Sequence, residues 1–320
     1  MRSRVYLIIP VFFTVCWTVG AVSSVRADDK KQQVERTAAA DPHVVLSACV
    51  VSGNITVQSW DRNEVSVHAS DGLAIELKRI DDPNKSALAT ELRLVTSERA
   101  NSRSCLMFGD IRLDVPRAAS VRLEASQGDI SVTGGARVSA ATQSGEITIA
   151  HVSEAITANT IGGDIIVQNS SGSIKLHTVG GSVTARAISG KAVDDQVEAA
   201  SVAGDISLDR VSQPRVKVST VNGSVSFNGA LARGGVYNFQ SLSGDVSLFL
   251  PAASSFRINA TLGKDSDINS DFSLKNSAPP NTEATSRRHG VTQNIEAVVG
   301  SGDASIVISS FKGSVQIRKR

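Results

Sequence analysis

The chain has 320 residues, a formal charge of +2, 41% hydrophobic residues and only 4% aromatic ones. So few aromatics exclude a thick core built on Phe, Tyr and Trp, and the near-neutral balance excludes the basic field that nucleic acid or an anionic membrane attracts. Ala, Ser, Val and Gly are abundant instead, which suits thin layers stacked closely.

At the start, Arg2 and Arg4 precede an apolar run from Tyr6 to Val22, and Val25-Arg26-Ala27 has the layout of a cleavage site. Residues 1–27 therefore read as a secretory signal peptide cut after Ala27. Pro10 and Thr14 interrupt the run, which falls short of the ~20 apolar residues of a membrane span. Bulky Val15 ahead of Cys16 argues against lipidation. Cleavage removes Arg2, Arg4 and Arg26 and takes the formal charge from +2 to −1. The mature chain is expected to have no nucleic-acid partner and no membrane span. Its location is expected to be periplasmic, cell-surface or extracellular.

Residues 28–40, including "QQVERTAAA", read as a linker. Residues 41–115 hold long alternating runs, "EVSVHAS", "LAIELKRI" and "ELRLVTSER", with a turn signal at Asp81-Asp82-Pro83-Asn84 between the last two. This region reads as an N-terminal antiparallel β cap. Cys49 and Cys105 each lie four residues before a glycine, in "ACVVSG" and "SCLMFG". Equivalent positions in stacked strands are ~4.8 Å apart, within reach of a disulfide, and an even pair in an exported chain favours a bridge. The alternative is two buried thiols in separate strands.

From residue 116 to 320 one phrase recurs: "QGDISV", "SGEITI", "GGDIIV", "AGDISL", "NGSVSF", "SGDVSL", "KGSVQI". Gly163, Gly172, Gly181 and Gly190 fall nine residues apart, whereas the steps from Gly109 to Gly163 are 19, 17 and 18. Glycine serves a tight corner, its polar neighbour bonds the local backbone, and the triplet alternates as a half-buried strand does. Pairs such as Ile130/Val132, Ile147/Ile149 and Val225/Phe227 would point inward, with Ser131, Thr148, Ser207, Ser226 and Ser247 outward. Ile166 breaks that rule and marks a candidate covered patch. No sustained 3.6-residue period occurs, so the fold class is all-β. Short repeats imply stacked units, either a β-solenoid with two strands per coil or an antiparallel meander or sandwich. Spacing leaves both open. "FRINATL" adds a strand, and Lys264 to Gln293, with Pro279-Pro280, reads as a polar excursion near 264–293.

"SGNITVQSWDRNEVSVHAS", "DVPRAASVRLEASQGDISVTG", the serial "SGDI" units and "LPAASSFRINATLGKDSDINSDFSL" together resemble an adhesin-like bacterial family, domain of unknown function 4097. The likeness covers nearly all of the mature chain. It implies a right-handed β-solenoid-like fold and brings no catalytic residues. At Gly263-Lys264-Asp265 the chain departs from the family's Ser-Gly-Asp type of turn, which implies an irregular coil there.

His43, His68, His151, His177 and His289 are scattered without ligand spacing, so no metal and no cofactor are expected. Asp129, Glu146 and Asp164 occupy one phrase position 17 and 18 residues apart. In a solenoid they would form an acidic column, able in principle to bind calcium or to pair for glycosidic cleavage. The plainer reading is turn residues facing water. Trp60 and Tyr237 are the candidate sugar-stacking aromatics, with Trp60 equally placed to anchor the cap. The sequence thus points to an exported, non-catalytic β-solenoid, an adhesin or structural envelope protein whose partner is a glycan or a protein. The alternatives are a carbohydrate-active β-helix enzyme using the acidic column and an envelope sensor or partner-binding domain.

Overall fold

The computed structural model describes residues 34–69, 75–84, 86–96, 105, 107–264, 266–276 and 293–320. The expected signal peptide at 1–27, residues 28–33 and residues 277–292 of the polar excursion lie outside them. Alternation of apolar and polar residues gives strands throughout, and no helix occurs among the described residues.

Each coil contributes one strand to sheet 1, turns at a glycine, and contributes the next strand to sheet 2. The first coil is β1 (Val34–Ser52) and β2 (Ile55–Trp60). The chain then passes through β3 (Glu64–Ala69), β4 (Ile75–Arg79), β5 (Ala89–Thr96) and β6 (Ile111–Pro116). Consecutive coils follow: β7 (Ser120–Gln127) with β8 (Ile130–Thr133), β9 (Arg137–Ser144) with β10 (Ile147–Ala150), and β11 (Ala155–Gly162) with β12 (Ile165–Ser171). Next come β13 (Ser173–Thr178) with β14 (Val183–Ser189), and β15 (Gln196–Ala203) with β16 (Ile206–Val211). After them stand β17 (Arg215–Asn222) with β18 (Val225–Gly229), and β19 (Val236–Ser243) with β20 (Val246–Leu250). The C-terminal part comprises β21 (Phe256–Leu262), β22 (Ile268–Ser270), β23 (Lys275–Asn276), β24 (Gln293–Val299), β25 (Ala304–Lys312) and β26 (Val315–Lys319).

Parallel pairing joins coil to coil in register; Ile147, for instance, pairs with Ile130 on one side and Ile165 on the other. This settles the choice between solenoid and meander. The nine-residue interval is half a coil: Gly163 and Gly181 share one corner, and Gly172 turns the opposite one. Inward side chains form ladders, such as Ile130, Ile147, Ile165, Val183, Ile206, Val225, Val246 and Val315, all at most 1% exposed. Each such burial contributes about 1.5–3 kcal/mol. Small and β-branched residues hold the two sheets close through the middle of the stack. Further on, Phe227, Tyr237 and Phe239 pack in tilted contact at centroid distances of 5.4–5.8 Å.

Chain order and stacking order differ at both ends. β5 and β6 lie outside β1 and β2, while β7 and β8 lie on their inner side. Likewise β25 and β26 insert between the β19/β20 coil and β21/β22. The first and last coils of the chain are thus covered on both sides. The antiparallel strands β3, β4 and β24 run against the outer coils, and short β22 and β23 close the far end. Such short edges offer little template for end-to-end pairing.

Two boundaries differ from the sequence reading. Residues 34–39 of the supposed linker are strand, paired antiparallel with β3 from Val34↔Ala69 to Ala39↔Glu64. An Ala-rich stretch carries no alternation of its own, and its conformation comes from that partner. Within 41–115, only β3 and β4 form an antiparallel cap, while β1/β2 and β5/β6 are coils of the parallel stack. The start of the excursion also holds structure: Phe272 is 4% exposed and meets Phe256 edge-on at 5.4 Å.

Candidate functional site

The phrase glycines form a column along one corner. A Cβ on Gly163 would strike the carbonyl of Gly145, one on Gly181 that of Gly163, and so on through Gly204, Gly223 and Gly244 to Gly313. Close approach of one coil's backbone to the next is what glycine serves here. The glycine carbonyls are not left bare. Three residues before Gly145, Gly163, Gly181, Gly204 and Gly223 stands a buried hydroxyl that donates to the glycine carbonyl of the preceding coil: Thr142 to Gly128 (3.2 Å), Thr160 to Gly145 (3.3 Å), Thr178 to Gly163 (3.0 Å), Ser201 to Gly181 (2.9 Å) and Thr220 to Gly204 (3.1 Å). A buried acceptor without such a donor would cost about 1–3 kcal/mol.

The residue after each glycine forms a second column. Asp129, Glu146 and Asp164 stand there in consecutive coils. The amide N–H of Glu146 donates to Asp129 Oδ1 at 2.8 Å, and that of Ser182 donates to Asp164 Oδ1 at 2.7 Å. Ser224 and Ser314 bond Asp205 and Asp245 in the same way, each at 2.7 Å. Glu146 Oε1 instead accepts the Thr148 hydroxyl at 2.7 Å. The aspartates therefore staple a coil to its neighbour, deepening the plain turn reading into a specific bond, while Glu146 bonds within its own coil. Carboxylates that cleave a glycosidic bond flank it, whereas these stand in file along one edge. Among the described residues no three His, Cys, Asp or Glu side chains group around a metal-sized site. His43, His151 and His177 are each exposed and separate, and His289 lies outside the described residues.

Cys49 and Cys105 are joined by a disulfide with a Cα–Cα distance of 5.4 Å, spanning 56 residues. The bridge ties the first coil to the strand segment outside it, where Val51 N–H donates to the Met107 carbonyl at 2.7 Å.

Of the two aromatics, Tyr237 is fully buried, and its hydroxyl accepts from Ala232 N–H at 2.7 Å and donates to the Gln213 carbonyl at 3.3 Å. Burial raises its pKa, and no face is left for a sugar. Trp60 is half-buried at the cap: its Nε1 donates to the Glu64 carbonyl at 2.9 Å, and the Arg62 guanidinium lies 4.9 Å from its ring centre.

A cluster that the sequence did not reveal sits on the outer face of sheet 2 near β3. Antiparallel pairing brings Glu35, Ser66, His68, Arg112 and Asp114 together beside a recess of about 590 Å³. His68 Nε2 lies 3.4 Å from Asp114 Oδ2, 3.3 Å from Ser66 Oγ and 4.0 Å from Glu35 Oε1. A Ser–His–carboxylate relay needs the two partners on opposite ring nitrogens. Both meet Nε2 here, so the cluster is a set of cross-strand polar contacts. Their distant positions in the chain gave no local signal.

The outer face of sheet 2 carries the longest run of like positions. Thr56, Ser131, Thr148, Ile166, Thr184, Ser207, Ser226 and Ser247 are successive neighbours across eight coils. They form a hydroxyl-rich file, exposed at Thr56 and half-buried from Ser131 to Ser247, interrupted only by Ile166.

Two overlapping stretches, residues 30–225 and 136–318, match the family described as Toastrack DUF4097. Among curated proteins none matches the chain. A solved structure of a "putative cell adhesion protein" from Clostridium sporogenes is similar, at 10% identity and a TM-score of 0.26, over 90% of this chain and 100% of that one. A "putative adhesin" from Bacteroides fragilis is similar at 11% identity and a TM-score of 0.36, over 89% and 97% of the two chains.

Proposed function

The chain belongs to the Toastrack DUF4097 family, and on that premise we propose an exported, non-catalytic β-solenoid that works by contact, as an adhesin or a structural envelope protein. Its place would be the periplasm, the cell surface or the exterior, after removal of residues 1–27. The supporting observation is the hydroxyl file from Thr56 to Ser247 on sheet 2. A ladder of Ser and Thr hydroxyls at ~4.8 Å steps, broken only at Ile166, suits a repeating polymer better than a small molecule, and a glycan of the envelope is the ligand we favour.

The test is attachment of the purified protein to immobilised envelope polysaccharides, compared with Ser207→Lys and Ser226→Lys together. These residues line the outer face, so the fold should tolerate the change. Expected is saturable binding that the double variant loses while its melting temperature holds. Equal binding by the variant, or capture of one protein and no glycan, would refute the glycan reading. Fractionation of cells with an antibody against the protein tests export, and a cytoplasmic full-length chain would contradict it.

A further inference from the structure

Six coils in a row leave an apolar side chain standing in solvent two residues before the corner glycine. These are Ile161, Val179, Val202, Val221, Leu242 and Phe311, each 38–57% exposed. Ladder registers on either side make them successive neighbours, so the stripe runs about 24 Å at ~4.8 Å per coil. It ends at Gln143 on one side and Gly263 on the other. The position faces outward on sheet 1, and earlier coils fill it with Ser126 and Gln143. The fold therefore does not require apolar residues there. Contiguous exposed apolar surface of this kind marks a contact site.

The flanks narrow the choice of partner. Three residues past the stripe, around the corner, Asp164, Asp205 and Asp245 are exposed in alternate coils, with Ser182, Ser224 and Ser314 between them. Each of these Asp side chains uses Oδ1 on a backbone N–H of the next coil and stays open to solvent. On the other flank the outward column from Asn159 to Ser309 has no carboxylate, lysine or arginine. The stripe thus has an acidic rail on one side, met by exposed Lys312 only at the last rung, and on the other a shelf whose one titratable side chain is His177.

We infer that this stripe docks an amphipathic, basic α-helix of a protein partner. A helix advances about 5.4 Å per turn, close to the coil step, so an apolar residue from each turn meets one rung. About 16 residues cover the stripe. Acids in alternate coils recur every ~9.6 Å, and residues seven apart on a helix recur every ~10.5 Å. Lys or Arg at every seventh position therefore meets the rail, giving the helix its orientation. An added β-strand is not accommodated, because the backbone under the stripe is already paired on both sides. A second copy of this chain would need about 800 Å² per partner, more than a ridge one side chain wide offers.

The probe is a labelled helical peptide of about 18 residues with Leu on one face and Lys at every seventh position beside it. Controls are a scrambled peptide and one with Lys replaced by Glu. Fluorescence anisotropy with the purified protein should show saturable binding of the basic peptide that weakens with salt, together with a gain of helical circular dichroism. Val221→Ser with Leu242→Ser should weaken binding about tenfold or more; the near-isosteric Val202→Thr guards against loss of fold. Ser207→Lys, on the opposite sheet, should leave it unchanged, which separates this result from that of the glycan experiment. Equal binding of the Glu or scrambled peptide, no effect of the stripe substitutions, or no binding at all would overturn the inference. Sedimentation showing a dimer that the stripe substitutions dissociate would assign the surface to a second copy and overturn it as well.

Discussion

At the glycine corner, the glycine follows one inward ladder of the sheet 1 strands by seven positions in coil after coil, from Leu46 and Gly53 to Ile306 and Gly313. The opposite corner takes from one residue, Gly172, to six, residues 190–195. One corner is fixed on every side: glycine backbones touch, a Thr or Ser hydroxyl bonds the carbonyl, and an acid commonly bonds the next amide. At the other corner Gly172 is still buried against the Glu154 carbonyl, but residues 190–194 open into water, where extra residues cost little loop entropy. On the way to this corner the chain passes a left-handed residue, Gly134 in one coil and His151, Asn169, Ala187 and Arg210 at the same place in others, with φ of 48–60° for the non-glycines. A coil thus varies in length on the side where no continuous glycine column joins it to its neighbours.

The largest effect expected from this contrast is at Gly163. Gly163→Ala drives a Cβ into the Gly145 carbonyl and should cost about 3–5 kcal/mol, or abolish cooperative unfolding. Gly190→Ala, whose Cβ would meet only side chains at 3.5 Å or more, should change stability by about 0.5 kcal/mol at most. Urea melts of the two variants break the comparison if their costs are alike.

Next comes the bridge just before the first glycine corner. Replacing Cys49 and Cys105 by Ser, or reducing the protein, should lower stability by about 2–4 kcal/mol for so long a loop. Proteolysis should then begin in the β1–β6 region; an unaltered melt in reductant would show that the coils hold themselves. Thr178→Val keeps shape but leaves the Gly163 carbonyl without its donor, at about 1–2 kcal/mol, whereas Thr178→Ser should be near neutral. At the loose corner the sign reverses. Ala187→Gly relieves a left-handed alanine and should stabilise by about 0.5–1 kcal/mol, seen as a higher melting temperature.

The smallest effect is local. Burial alone would raise the pKa of Asp195, but the N–H groups of Ala192 and Lys191 and the Ser173 hydroxyl outweigh it and hold the carboxyl below its usual range. Because the folded pKa is depressed, this stabilisation is present above the unfolded carboxylate value and is lost as pH falls through the folded one. The protection of the amides of residues 190–195, after correction for intrinsic exchange, should fall on acidification and change little with pH in Asp195→Asn.

Much of the corner was legible in the sequence. The glycine spacing gave stacked units without choosing between solenoid and meander, and the Ile130/Val132 kind of pair gave the inward face, because alternation and close approach are local demands. The role of Asp129 and Asp164 as bonds between coils was half-legible: the residue type announced a turn, but the amide it bonds lies 17 or 18 residues away. The Thr142-to-Thr220 hydroxyls were visible three residues before each glycine and went unread, since an inward Thr in a strand looks like any other β-branched filler. Tyr237, singled out as a candidate for sugar stacking, proved a core residue for the same reason.

What the sequence alone determined is the repeating unit: its strands, its glycine turn and which side chains it hides, all set by contacts within about 20 residues. The order of coils at the ends was decided only in three dimensions. Every coil presents nearly the same ladder above and below, so β1/β2 and β25/β26 match several neighbours equally well by pattern. Pairing of β3, β5 and β24 over long separations, and the closing of exposed sheet edges, selects one arrangement.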